Sequence, residues 1–329
     1  MLTALPTLTI LAIAVVGLVL AWAIGLFSPR RRQRYVSVGL LMRRYVVWLP
    51  ADKTKGPIAV VLAFHGGGST LEQMEEQVPI HSAREAGRFA IVYPEGYERT
   101  WNAGLCCGGA IRDKIDDIKF VHAILDDLDT VVSIDRRRIY ATGFSNGAMF
   151  CYYLACNLSE EIAAIAPISG NMHVSDCRPT RPMPIFHIHG LDDKWAPFAG
   201  GQSVTPNFLP PVQQGIDFWR TFNGTEEERH ETLFTGHGDC VVYDGAPDGA
   251  RIMLCRIEGL GHHWPGGRMT AQNRPHAEMF GSFGPPIDLH AVNDTILKFF
   301  DAFALPELQY RRISLDAELP SRDRDAGTA

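Results

Sequence analysis

Ser145 lies in Gly143-Phe144-Ser145-Asn146-Gly147, preceded by the short β-prone run Ile139–Thr142 and followed by a helix-permissive run from Ala148 to Cys156. Strand, tight turn and helix make a nucleophile elbow, which lifts a serine hydroxyl clear of a sheet. The turn needs small residues two positions either side of the serine, and Gly143 and Gly147 supply them. Such a serine needs a base to take its proton and an acid to orient that base. Both follow in chain order. Pro184–His189 (PIFHIH) leads into Gly190-Leu191-Asp192-Asp193, and Arg251–Ile257 (RIMLCRI) leads into Gly259-Leu260-Gly261-His262-His263-Trp264-Pro265-Gly266. From the residues alone, either aspartate and either histidine would serve. Upstream, Ile58–Phe64 enters His65-Gly66-Gly67-Gly68, whose backbone N–H groups suit an oxyanion hole. The second donor would be the N–H of Asn146, so only the backbone of Asn146 is asked for and its substitution should be mild.

These loops imply the elements that hold them. Polar groups just past strand ends gather along the carboxyl edge of an open α/β sheet. The unbroken apolar run Ile58–Phe64 suits a parallel strand covered on both faces. Phe89–Tyr93, Ile139–Thr142, Ile162–Ile168, Pro184–His189 and Arg251–Ile257 read as further strands. Residues 35–50 read as an opening hairpin strand, and Thr232–Phe234 as a short strand at most. Helices are expected over Glu72–Ala86 with a break at Pro79, and over Asp116–Val131, Gln213–Phe222 and Leu289–Phe303. The pair Asp116-Asp117 reads as a helix start rather than as acid–base or metal chemistry. His187 and His189 alternate onto one side of their strand with no third metal ligand beside them. Tyr97–Ile111, rich in glycine and cysteine, has little propensity for either element and reads as one wall of the site, through Trp101 and Asn102. The fold class is α/β: an α/β-hydrolase fold, mostly parallel in its central sheet, with helices on both faces.

The chain resembles the secreted esterase family that includes poly(3-hydroxybutyrate) depolymerases and feruloyl or acetylxylan esterases. The matching segments include Arg44-Tyr45 with Leu49-Pro50, His65 to Ser69, Trp101-Asn102 with Cys107, and Asp116-Asp117 with Phe120. Tyr140 to Met149, Leu154-Ala155-Cys156, Ala163 to Gly170, His189 to Asp193 and Gly261 to Gly266 continue the match. By that resemblance Ser145 is the nucleophile, His262 the base and Asp193 the acid, with Gly66, Gly67 and Asn146 at the oxyanion hole. The family pattern His-Gly-x-x-Asp selects Asp193 over Asp192, and its histidine motif selects His262 over His263. The implied activity is hydrolysis of carboxylic esters by a serine esterase, with short-chain or feruloyl/acetyl esters ranked above poly(3-hydroxybutyrate) or its oligomers. A serine peptidase or a non-catalytic hydrolase-like binding protein are the readings of other classes. Trp101, Asn102, Trp195 and Trp264 are candidate pocket residues. No cofactor or metal is required by this chemistry.

Apolar residues make up 46% and charged residues 21% of the 329, an ordinary globular balance. A net charge of −6 gives no basic footprint for nucleic acid. The seven cysteines lack the paired short spacing of a zinc site and suit an exported chain with three disulfides and one thiol left over. Cys240 with Cys255 and Cys156 with Cys177 are the expected pairs, and Cys106 or Cys107 is expected to meet Cys151. Residues 1–28 read as a signal peptide or membrane anchor, since Met1–Phe27 has no charged side chain and Arg30, Arg31, Arg32 and Arg34 follow at once. A cleaved segment implies a secreted or periplasmic enzyme, and an uncleaved one an anchor through residues 5–27. The catalytic domain is expected over 35–305 and a polar tail over 306–329. The substrate is a small-molecule or polymeric ester, and the oligomeric state is not encoded in any motif.

Overall fold

The computed structural model describes residues 30–52, 56–268 and 280–307. The N-terminal apolar segment, part of the loop after Gly267 and the polar tail lie outside the described residues. Among the described residues, no helix is long and apolar enough to cross a membrane.

Among the described residues twelve strands form: β1 (Arg31–Val38), β2 (Leu41–Trp48), β3 (Ile58–Phe64), β4 (Phe89–Pro94), β5 (Ile134–Phe144), β6 (Ala164–Ile168), β7 (Ile185–Gly190), β8 (Gly201–Gln202), β9 (Phe208–Leu209), β10 (Glu227–Leu233), β11 (Gly238–Asp244) and β12 (Ile252–Ile257). The helices are α1 (Leu71–Gln77), α2 (Gly108–Arg112), α3 (Asp117–Asp129), α4 (Asn146–Asn157), α5 (Val212–Asn223) and α6 (Leu289–Asp301). One ten-stranded sheet runs β1-β2-β4-β3-β5-β6-β7-β12-β11-β10, and β8 and β9 pair separately. From β4 to β12 neighbouring strands are parallel, while β1–β2 and β10–β11 are antiparallel edges. This is the mostly parallel sheet the buried runs require.

Alternation along β3 divides the core. Val60, Leu62 and Phe64 join one hydrophobic cluster with α3, α4 and α5, whereas Ala59, Val61 and Ala63 join another with α1 and α6. Helices therefore cover both faces. In α3, Phe120, Val121, Ile124, Leu125 and Leu128 are buried, and the Asp116 side chain accepts from Lys119 N–H at its start. Asp117 forms a buried ion pair with Arg43 at 3.0 Å and accepts the Asn102 N–H at 2.8 Å. The acidic pair is thus a cap and a tether.

Three local expectations change. The first helix stops at Gln77, ahead of Pro79, and continues only as two short 3-10 turns to Arg88. The strand near Thr232 is longer than expected, Glu227–Leu233, because its exposed charged residues blunt a sheet edge and mask the β pattern. The 97–111 loop also contains the start of α2. Cys240 and Cys255 are bonded and face one another directly across β11 and β12, and Cys156 is bonded to Cys177. The third pairing differs: Cys106 and Cys107 close on each other, and Cys151, buried on the inner face of α4, is a free thiol.

Candidate active site

Ser145 follows β5, Asp193 follows β7, His262 follows β12 and Gly66-Gly67 follow β3, so all four loops open at the carboxyl ends of parallel strands. Ser145 has φ 56° and ψ −118°, the sharp elbow turn between strand and helix. The glycines around it are forced. A Cβ on Gly147 would strike the Phe64 carbonyl, and one on Gly143 would strike the Gly147 carbonyl.

His262 Nε2 lies 2.8 Å from Ser145 Oγ, and His262 Nδ1 lies 2.7 Å from Asp193 Oδ2. A carboxylate only accepts, so the Nδ1 proton donates to Asp193 and Nε2 is left to accept the serine O–H. Asp193 Oδ1 accepts the N–H groups of Trp195 and Ala196, each at 2.8 Å. Burial opposes its charge, but His262 and these donors more than compensate and hold its carboxyl below the usual range. Asp192 and His263 stand outside this chain. His263 instead stacks on Phe283 with ring centroids 3.8 Å apart.

Behind Asp193 runs a buried chain of three side chains. Tyr152 Oη lies 2.8 Å from His187 Nδ1, His187 Nε2 lies 2.9 Å from His189 Nδ1, and His189 Nε2 lies 2.7 Å from the Ala196 carbonyl. The carbonyl can only accept, so His189 carries its proton on Nε2 and each link donates in turn toward the Ala196 carbonyl. Burial pushes both histidines down and keeps them neutral. His189 Nε2 is 3.5 Å from Asp193 Oδ2. The two histidines are a hydrogen-bonded support.

Gly66 and Gly67 pack against Phe144, Ser145 and Asn146. Asn146 begins α4, where first-turn N–H groups have no helical acceptor. His65 Nε2 accepts the Gly96 N–H at 2.9 Å, and its Nδ1–H donates to the Gly66 carbonyl at 2.8 Å, fixing the glycine turn. Burial lowers its pKa to about 4.

A cleft of about 560 Å³ opens on Ser145 and His262, walled by Phe144, Trp195, Trp264, Phe280 and Phe283. Trp195 and Trp264 thus line it. Trp101 and Asn102 do not: Trp101 is fully buried between Phe64 and Phe150 and donates its Nε1–H to the His65 carbonyl, while Asn102 bonds Ile115 and Asp117. Phe144 carries a signal in the sequence, as the residue before the serine. Arg99 lies in the 97–111 loop read as a wall of the site, whereas Phe280, Phe283 and Arg268 sit in a loop without periodicity and carry no individual signal.

Residues 112–230 match the phospholipase/carboxylesterase family. A putative esterase of Nocardia uniformis, NocK, is 29% identical over 66% of this chain and 68% of its own length. Feruloyl esterase B of Piromyces equi is 31% identical over 69% of this chain, which spans less than half, 44%, of that protein. This chain is a carboxylic ester hydrolase of the α/β-hydrolase fold. The fold of the hydrolase is also that of an acetyl xylan esterase from Aspergillus awamori, with a TM-score of 0.50, 15% identity and coverage of 75% of this chain and 98% of the other. A thermostable esterase gives a TM-score of 0.53 at 14% identity, covering 85% and 64%.

Proposed function

We propose that the hydrolase cleaves short-chain, acetyl or feruloyl esters through Ser145, His262 and Asp193. The observation that carries this reading is the continuous contact from Ser145 Oγ through the His262 ring to Asp193, at 2.8 and 2.7 Å. Ser145 Oγ attacks the ester carbonyl as His262 Nε2 takes its proton, and Asp193 stabilises the imidazolium that forms. The N–H groups of Gly66 or Gly67 and Asn146 hold the developing oxyanion. The alcohol leaves with the proton from His262. Water, deprotonated by His262, then releases the acid and restores the serine. The aromatic cleft supports a planar or short acyl group over a solid polymer. Catalysis is assigned to residues 35–305, with the N-terminal segment directing export or anchoring.

The test is kcat/KM for methyl ferulate, an acetylated xylo-oligosaccharide and a soluble 3-hydroxybutyrate trimer, with Ser145→Ala as blank. Preference for either of the first two supports the reading. Preference for the trimer transfers it to polyester oligomers, and matched amide turnover would make it a peptidase.

A further inference from the structure

The cleft is walled by aromatic rings and glycines, and no aspartate or glutamate is among its described lining residues. In a chain of net charge −6 that is a local exception. Two arginines do reach it, Arg99 and Arg268. Elsewhere arginines meet carboxylates, as Arg31 does Glu75, Arg34 Asp127, Arg43 Asp117 and Arg44 Glu72. Neither cleft arginine forms an ion pair within 4.0 Å with a described carboxylate, and Arg99 acts only at longer range on Glu95, whose carboxylate is paired with Arg44.

Arg99 is built into the site. Its carbonyl accepts the Gly68 N–H at 2.8 Å, and its Nε–H points to the Ser69 carbonyl at 3.4 Å, so it is tied to the glycine turn by backbone and side chain. Its φ is 62°, a left-handed conformation that glycine adopts without strain and arginine does not. A non-glycine residue held there beside a cleft points to a use for its side chain. Glu98, next to it, does not neutralise it but pairs with Arg112 at 2.9 Å. Arg268 comes from the other wall, past His262 and Trp264, and its backbone N–H is anchored on the Gln77 carbonyl at 3.1 Å. Both arginines thus line the cleft that holds Ser145 and His262, Arg99 from the loop tied to the glycine turn and Arg268 from the loop after His262. Guanidinium groups only donate, and their planar fork matches a carboxylate.

We propose that the cleft selects esters whose acyl or alcohol part carries a free carboxylate, which Arg99 and Arg268 bind. The proposal rests on the ester-hydrolase reading of Ser145 and adds a substrate class to it.

Two matched pairs test it on the purified full chain. Monomethyl against dimethyl adipate places the charge on the acyl side. 6-Acetoxyhexanoate against its methyl ester, read as acetate released, places it on the alcohol side. The expected result is a kcat/KM ratio of about tenfold for the anionic member of at least one pair, shrinking at high salt as screening predicts. Arg99→Gly removes the charge at a position where glycine fits the backbone best, and the ratio should fall at least threefold. Arg268→Gln should do the same, and Arg268→Lys should keep part of the ratio. Ratios near one in both pairs while the neutral esters are hydrolysed would overturn the proposal and leave the esterase reading standing. A high ratio indifferent to salt and to both substitutions would also overturn it. If no ester is hydrolysed, both readings fall.

Discussion

The side-chain amide of Asn146 is paired with both backbone groups of Trp101: Oδ1 accepts its N–H at 2.7 Å, and Nδ2 donates to its carbonyl at 3.0 Å. Trp101 in turn donates its indole N–H to the carbonyl of His65 at 2.9 Å. Asn146, the residue after Ser145, thus locks the cysteine-rich loop, and through it the glycine turn, onto the elbow.

Asn146→Ala is therefore expected to be severe, contrary to what a purely backbone role implies. It would leave the buried Trp101 N–H without a partner, while the Trp101 carbonyl keeps only the Cys107 N–H at 3.3 Å, a loss of roughly 1–3 kcal/mol for the orphaned group. Urea unfolding would read this as a lowered midpoint at unchanged slope. A midpoint within experimental error of the parent would show that the clamp contributes nothing.

Acid should weaken the fold before the carboxylates titrate. His65 is fully buried with its pKa lowered from 6.5 to about 4, and burial likewise lowers His187 and His189. Between those values the unfolded chain binds protons that the native protein refuses, so stability rises with pH there and is lost as pH falls. At pH 5 His65 alone accounts for about 2 kcal/mol, at 1.36 kcal/mol per pH unit below 6.5. Urea midpoints measured from pH 7.5 to pH 4.5 should fall steadily, and a flat series would contradict the buried neutral histidines.

The bond between Cys240 and Cys255 joins strands far along the sheet from the elbow. Closing a loop of this length stabilises by about 3 kcal/mol in the chain-entropy model. The double variant Cys240→Ala/Cys255→Ala is expected to melt at a lower temperature while retaining parental kcat/KM. Loss of turnover in a protein still folded at the assay temperature would show that the bond also helps to position the His262 loop that follows β12.

Much of this architecture is legible in the sequence because each loop that opens on the cleft follows an apolar strand. Ile58–Phe64 and Pro184–His189 can be read as strands from burial alone, and the chain order Ser, Asp, His then fixes where their loops gather. What is illegible depends on partners distant in sequence. Trp101 looks like a wall because it sits in a long loop, yet Phe64, Phe150 and the His65 carbonyl enclose it. Cys151 looks like a disulfide partner until Cys106 and Cys107 are seen bonded to each other. The edge strand Glu227–Leu233 is hidden because exposed charged residues there carry no hydrophobic alternation.

The central claim is that Ser145 is the nucleophile held by His262 and Asp193. The most direct measurement is labelling of the purified enzyme with a fluorophosphonate, followed by peptide mapping, alongside ester hydrolysis by Ser145→Ala. One label per chain on the peptide containing Ser145, with loss of turnover in step with labelling and a fall of at least a thousandfold in Ser145→Ala, is the expected result. Labelling at another residue, or undiminished hydrolysis by Ser145→Ala, would contradict the account.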